Sequence, residues 1–235
     1  MPSYQPTELA VLAFFVIPAL LVAICAWGCA YVASPRQRFR VARLALLAGA
    51  AWMAITWRVA ASGVLRNWNA TPPPFFLLLV AVVAIASLTA FSPLGRRLAF
   101  GVPLWVLVLV QAFRLPLELA MHRLTTLGIM PEQMTFTGRN FDVATGASAL
   151  VLAALLHSRG RGHALTLVWN TIGLVLLTNV VVIALLSTPR FRLFGDDHLN
   201  VFVTYPPFVW LPTVMVLTAL AGHLLIFRRL LANAS

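Results

Sequence analysis

Long apolar runs broken by short polar or proline-containing stretches dominate the chain. Roughly 20 apolar residues are needed to carry a helix across about 30 Å of hydrocarbon. Seven runs approach that length, at about residues 9–32, 42–65, 75–92, 98–121, 142–157, 164–187 and 208–227. The fifth is short, but rich in small residues. Between them fall turn and breaker signals: Ser34-Pro35, Thr71-Pro72-Pro73-Pro74, Ser92-Pro93-Leu94-Gly95, Gly160-Arg161-Gly162 and Tyr205-Pro206-Pro207. No run is followed by a soluble-looking stretch. The pattern predicts an all-α fold: one polytopic seven-transmembrane-helix bundle over residues 1–235.

Charge gives the expected bundle a direction. Alternate loops and the tail hold Arg36, Arg38, Arg40 and Arg43, then Arg96 and Arg97, Arg159 and Arg161, and Arg228 and Arg229, with no acid among them. The opposite end mixes Arg66, Arg123, Arg139, Arg190 and Arg192 with Glu8, Glu132, Asp196 and Asp197. Because cytoplasmic loops retain positive charge, the first set predicts the inner side. The N-terminus is then outside and the C-terminus cytoplasmic, in a bacterial inner membrane. No basic residue precedes the first apolar run, so it does not read as a cleavable signal. The arginine-rich rim suits anionic lipid heads.

Composition then excludes chemistry. All 17 basic residues are arginine, and the chain has no lysine. A retinal Schiff base and a pyridoxal-phosphate lysine are therefore excluded, and no cofactor is expected. Nucleic acid is not an expected partner, since the aromatic residues lie in the spans and not among the basic loops.

Candidate chemistry lies where the spans are polar. Intramembrane charge is costly, which makes such residues candidates for function. In the fourth run, Gln111, Arg114, Glu118 and His122 fall within an arc of roughly 80° at 100° per residue, forming one stripe that climbs about 16 Å. Pro116 interrupts the stripe and frees the carbonyl of Ala112. In the second run Arg58, Ser62 and Arg66 share a face at i, i+4, i+8, and Arg58 sits about 10 Å below the outer end. The expectation is that Arg58 turns inward and pairs with Glu118, directly or through water; snorkelling is the alternative. Gly138-Arg139-Asn140 reads as a turn that, with Asp142 at the start of the fifth span, closes the top of the stripe. Helix capping alone also accounts for Asp142. Asn170 and Asn179 lie on opposite faces of the sixth span; Asn179 is the better pocket candidate, and interhelical hydrogen bonding is the default for both. His157, His163 and His223 are expected at the cytoplasmic edge. Cys25 and Cys29 read as small packing residues, because two thiols fall short of a zinc site. Glu118 and His122 have ligand spacing, but no metal set is expected.

Four segments carry a resemblance: Arg114-Leu-Pro116-Leu-Glu118-Leu119, Met134-Thr-Phe-Thr-Gly-Arg-Asn-Phe-Asp142, Trp169-Asn170 and Pro207-Phe-Val-Trp-Leu-Pro212. Over roughly residues 105–230 the chain resembles a family of uncharacterised bacterial seven-transmembrane-helix proteins. The resemblance implies a fold and a location, and no activity.

Three functions remain open. One is binding, sensing or transport of a small polar or anionic molecule in an outward-facing polar cavity built from Arg58, Gln111, Arg114, Glu118, His122, Arg139, Asn140, Asp142 and Asn179. Another is an intramembrane enzyme with Glu118 or Asp142 as base beside His122; no nucleophile or metal set accompanies them, and catalytic residues stay unassigned. The last is a structural or assembly subunit held by an internal salt-bridge network.

Overall fold

A computed structural model describes residues 9–160 and 162–232. Residues 1–8, 161 and 233–235 lie outside it, so the charges of Glu8 and Arg161 and the reading of the N-terminal segment fall outside the described residues. Every regular element among the described residues is helical: α1 (Leu9–Tyr31), α2 (Arg38–Ala61), α3 (Pro74–Phe91), α4 (Pro93–Gly101), α5 (Leu104–Val110), α6 (Arg114–Thr126), α7 (Val143–Arg159), α8 (His163–Leu186) and α9 (Leu217–Ala232). Among the described residues, six stretches are long and apolar enough to cross a membrane: α1, α2, α3, Leu104–Thr126, α8 and Leu211–Ala232. The seventh, α7, has 17 residues and is shorter than the others. The protein is accordingly a multi-pass helical membrane bundle. Large apolar side chains such as Leu47, Val80, Leu88 and Val175 point outward, as they do when the surrounding solvent is hydrocarbon.

Proline placement explains where the observed elements depart from the apolar runs. The fourth run does not start at residue 98. Ser92 caps α4 by accepting from the Gly95 amide, with Pro93 at the first helical position. That short helix ends at Val102–Pro103, both extended, and a new helix begins at Leu104. It continues through a 3₁₀ turn at Gln111–Phe113 into α6. Pro116 lies just beyond and has no amide to offer Ala112, so the helix tightens there instead of continuing unbroken. The last run begins not at residue 208 but with a widened π turn over Leu211–Val216, which contains Pro212, before α9. Two irregular turns thus face the centre of the bundle on different helices.

α1 packs on α2 and α6, α3 on α9, α5 on α7, and α8 on α9. One apolar cluster of the core is centred on Phe14, Phe75, Met121, Phe208 and Met215. A second apolar cluster, around Val108, Leu152 and Ile226, fills the other end. The connections at residues 127–142 and 187–210 fold over one end and bond to each other: Gln133 donates to the Ser187 hydroxyl (3.0 Å) and to the His198 carbonyl (2.7 Å).

Candidate functional site

Between the two apolar clusters lies a chain of buried polar groups. Arg114, ten residues into the Leu104–Thr126 stretch, sits about 15 Å from that stretch's start, near mid-membrane. It is 1% exposed. Its Nη1 donates to Asp142 Oδ1 at 2.7 Å, an ion pair closed off from solvent. Its Nη2 meets His223 Nε2 at 3.0 Å. Arginine has no lone pair to offer, so His223 Nε2 accepts and the ring proton resides on Nδ1. Nδ1 then donates to Asn170 Oδ1 (2.7 Å), while Asn170 Nδ2 donates to the backbone carbonyl of His223 (3.1 Å). Every polar atom of the His223 ring is thereby assigned.

A second branch runs towards the loops. Asn140 Oδ1 accepts from the Asp142 amide (2.9 Å), and Asn140 Nδ2 donates to Glu118 Oε1 (2.7 Å) and to the Met134 carbonyl (3.0 Å). Six side chains from three helices and one connection are thus linked in a row: Asn170, His223, Arg114, Asp142, Asn140, Glu118. The Asp142 carboxylate caps nothing in α7; it reaches across to Arg114.

The backbone makes room for these contacts through glycine. A Cβ on Gly146 would lie 2.4 Å from the Leu115 amide nitrogen, so the absence of a side chain lets α7 lie close against α6 beside Arg114. A Cβ on Gly173 would meet His223 Cε1 at 2.7 Å, and one on Gly222 would meet Gln111 Nε2 at 2.2 Å. Two of the network's helix contacts, and that of the neighbouring Gln111, therefore run over glycines on adjacent helices.

A cavity of about 60 Å³ adjoins the row. Its polar wall is Arg114, Glu118 and Asp142; the rest is apolar, including Phe75, Leu79, Leu177, Pro212 and Met215. Both irregular helical turns border it, through Phe113 and through Leu211, Pro212, Met215 and Val216. Two buried atoms of this wall's side chains have no hydrogen-bond partner: Glu118 Oε2, an acceptor, and Arg114 Nε, a donor. Gln111 Oε1 is a third unpartnered buried atom nearby in sequence, its Nε2 donating to the Ala219 carbonyl at 3.2 Å.

Of the residues singled out in the sequence, Arg114, Glu118, Asn140 and Asp142 come together, and Gln111 is buried on the same helical stretch. Arg58 does not join them. It is exposed on α2, and the expected Arg58–Glu118 pair is absent because Asn140 occupies Oε1 and a long arginine on a peripheral helix can reach outward. Arg139 is exposed as well; its guanidinium lies over the Phe194 ring at 5.2 Å, and its backbone carbonyl accepts from Asn179 Nδ2 at 2.8 Å. Asn179 therefore fastens a loop and does not line the cavity. His122 is half-buried against Phe136, ring centroids 4.7 Å apart. His223 is the main correction: expected at the cytoplasmic edge, it is fully buried. Twelve residues from Leu211, it lies about 18 Å along its helix, deep in the bundle. Its depth is hard to read in advance, since His223 has no polar neighbour at helical spacing within the apolar part of α9. Asn170 is the one signal that pointed to it, an amide expected to bond across helices.

No group of three or more His, Cys, Asp and Glu side chains that could hold a metal ion occurs among the described residues. No family model, curated protein or solved structure matches the chain, so the resemblance noted over residues 105–230 has no counterpart in these comparisons and the site's geometry has to carry the functional reading alone.

Proposed function

We propose that the chain is a seven-helix protein of the bacterial inner membrane, N-terminus outside, that binds a small polar solute at the Arg114–Glu118 wall and senses or transports it. α7 serves as the seventh span in this reading, and the arginine-bearing ends of α4, α7 and α9 face the cytoplasm. The observation that carries this reading is a pair of unpartnered buried atoms on two side chains that border the cavity: a donor at Arg114 Nε and an acceptor at Glu118 Oε2. A buried polar atom left unmatched costs about 1–3 kcal/mol, so a molecule that offers one acceptor and one donor recovers that cost on binding.

The wall chemistry favours a polar solute over an anion. Arg58 and Arg139 stand outside the site, Arg114 is neutralised by Asp142, and Glu118 adds a second carboxyl group. Size narrows the class further. A water needs roughly 10–15 Å³ of such volume, and a cavity of about 150 Å³ takes benzene. The 60 Å³ here suits a handful of waters or a solute of a few heavy atoms. The intramembrane-enzyme reading has no reacting group beside Glu118, since His122 packs on Phe136 and is not on the cavity wall. The structural-subunit reading takes its support from the closed Asn170–His223–Arg114–Asp142 row, which is paired without any ligand.

Glu118→Gln separates the two. Glutamine keeps the Oε1 acceptor for Asn140, so the bundle persists. Native mass spectrometry of protein purified from membranes is expected to find a small molecule retained by the parent chain and lost from the variant. Equal spectra for both, with a destabilised variant, would instead favour the purely structural network.

A further inference from the structure

We propose that the recess between the end of α1 and the outward face of α4 is a site for the phosphodiester head of an anionic phospholipid. The recess has a volume of about 550 Å³ and is lined by Tyr31, Val32, Arg96, Arg97, Phe100 and Gly101. α4 is held rigidly in place. Ser92 caps its start, and Gly95 lies where a Cβ would come within 2.2 Å of the Ala90 carbonyl, so the helix is pressed onto the end of α3.

The arginines at this end differ in what they do. Arg228 Nη1 donates to the carbonyls of Ala90 (2.7 Å) and Ser92 (2.8 Å), and Arg229 Nη1 to those of Ala99 (3.2 Å) and Val102 (2.6 Å). These two cap the C-terminal ends of α3 and α4, where a cation suits the helix dipole. Arg96 and Arg97 make no such contact and are exposed on the opposite side of α4. The described acidic residues lie on α6 or in the connections at the other end of the bundle, so none of them competes for this pair. A phosphodiester accepts from adjacent guanidinium groups in parallel, which a point charge does not match.

The apolar surroundings select a lipid over a free anion. Trp27 and Tyr31 lie together, ring centroids 5.1 Å apart, both substantially exposed at the end of a membrane-spanning helix, as aromatic side chains at headgroup depth are. The inward face of α4 borders an apolar groove of about 260 Å³, with Cys25, Trp27, Leu94 and Leu98 among its walls. An acyl chain can lie there while its head meets the arginines.

The test is a lipid titration of the detergent-purified full chain, read by native mass spectrometry, with phosphatidylglycerol, phosphatidylcholine and inorganic phosphate as probes. With about 1 kcal/mol per basic residue near an anionic headgroup, two arginines predict roughly a thirtyfold preference for phosphatidylglycerol over phosphatidylcholine. Arg96→Gln/Arg97→Gln is expected to erase that preference. Arg36→Gln/Arg38→Gln removes the same charge from the same end and is expected to keep it within about twofold. Equal loss in both variants would reduce the site to a diffuse basic rim and overturn the proposal. So would displacement of the lipid by millimolar inorganic phosphate, which identifies a free-anion site. Should the glutamine pair fail to fold, Arg96→Lys/Arg97→Lys takes its place: the charge stays but the planar fork is lost, a several-fold loss supports paired recognition, and none overturns it.

Discussion

Removing the Asp142 carboxylate would leave the Arg114 guanidinium without its counter-charge, 1% exposed and in the middle of a bundle surrounded by hydrocarbon. Asp142→Ala deletes the 2.7 Å ion pair but leaves the Asp142 amide to donate to Asn140 Oδ1 as before. Stranding one member of a buried pair costs about 3–5 kcal/mol, because the remaining charge is neither solvated nor matched. For a chain of this size about 1 kcal/mol moves the unfolding midpoint by roughly 2–4 °C, so the expected loss is on the order of 10 °C. Tryptophan fluorescence during thermal unfolding in detergent reads it directly, since the chain holds 7 tryptophans. The double variant Arg114→Met/Asp142→Leu removes both charges. It also frees His223 Nε2, so it is expected to recover most, though not all, of the loss. A cost for Asp142→Ala below about 1 kcal/mol would mean that water reaches the pair, which is what exposed ion pairs show, and the buried network would then be the wrong description.

The rest of the network yields shorter predictions. Gly173→Ala sets a methyl group 2.7 Å from His223 Cε1 and 3.0 Å from Thr145 Cγ2, and is expected to cost about 1–3 kcal/mol by denaturant titration; a neutral result would show that His223 is free to move. His223→Phe fills the space but leaves Arg114 Nη2 and Asn170 Oδ1 unmatched, for a loss of about 1–3 kcal/mol, while His223→Gln, which can still accept from Arg114, loses less. Arg58→Gln is expected to leave stability within about 0.5 kcal/mol of the parent, and a large loss would return Arg58 to the interior.

The helices were legible from apolar run length, because a hydrocarbon solvent demands uninterrupted apolar surface over a fixed distance. Their exact starts were less so: Pro103 divides the fourth run and Pro212 sits in a π turn, and both effects depend on how neighbouring helices pack. At the site, Gln111, Arg114 and Glu118 could be found because they repeat at helical spacing on one element, and Asn140 and Asp142 because a Gly138-Arg139-Asn140 turn sets polar side chains at the start of the next apolar run. Arg58 misled for a related reason. Spacing defines a face, but whether that face meets protein or lipid is decided by the other helices. His223 escaped because it is nearly alone on its own helix, and its partners Arg114 and Asn170 lie 109 and 53 residues away in the chain. The glycines opposite them were equally silent, since a glycine in a membrane helix looks like any other small packing residue.

The claim on which the functional reading stands is that Arg114 Nε and Glu118 Oε2 jointly receive one small molecule. Thermal unfolding of the parent chain and of Glu118→Gln, each with acetamide, methylammonium and formate, puts that to the test. Saturation at about a hundred times Kd stabilises by about 2.7 kcal/mol. The predicted result is a rise of several degrees for the parent with acetamide, which both donates and accepts, a lesser rise with methylammonium, none with formate, and no response from the variant. Equal rises in the two proteins, or a response to formate alone, would contradict it.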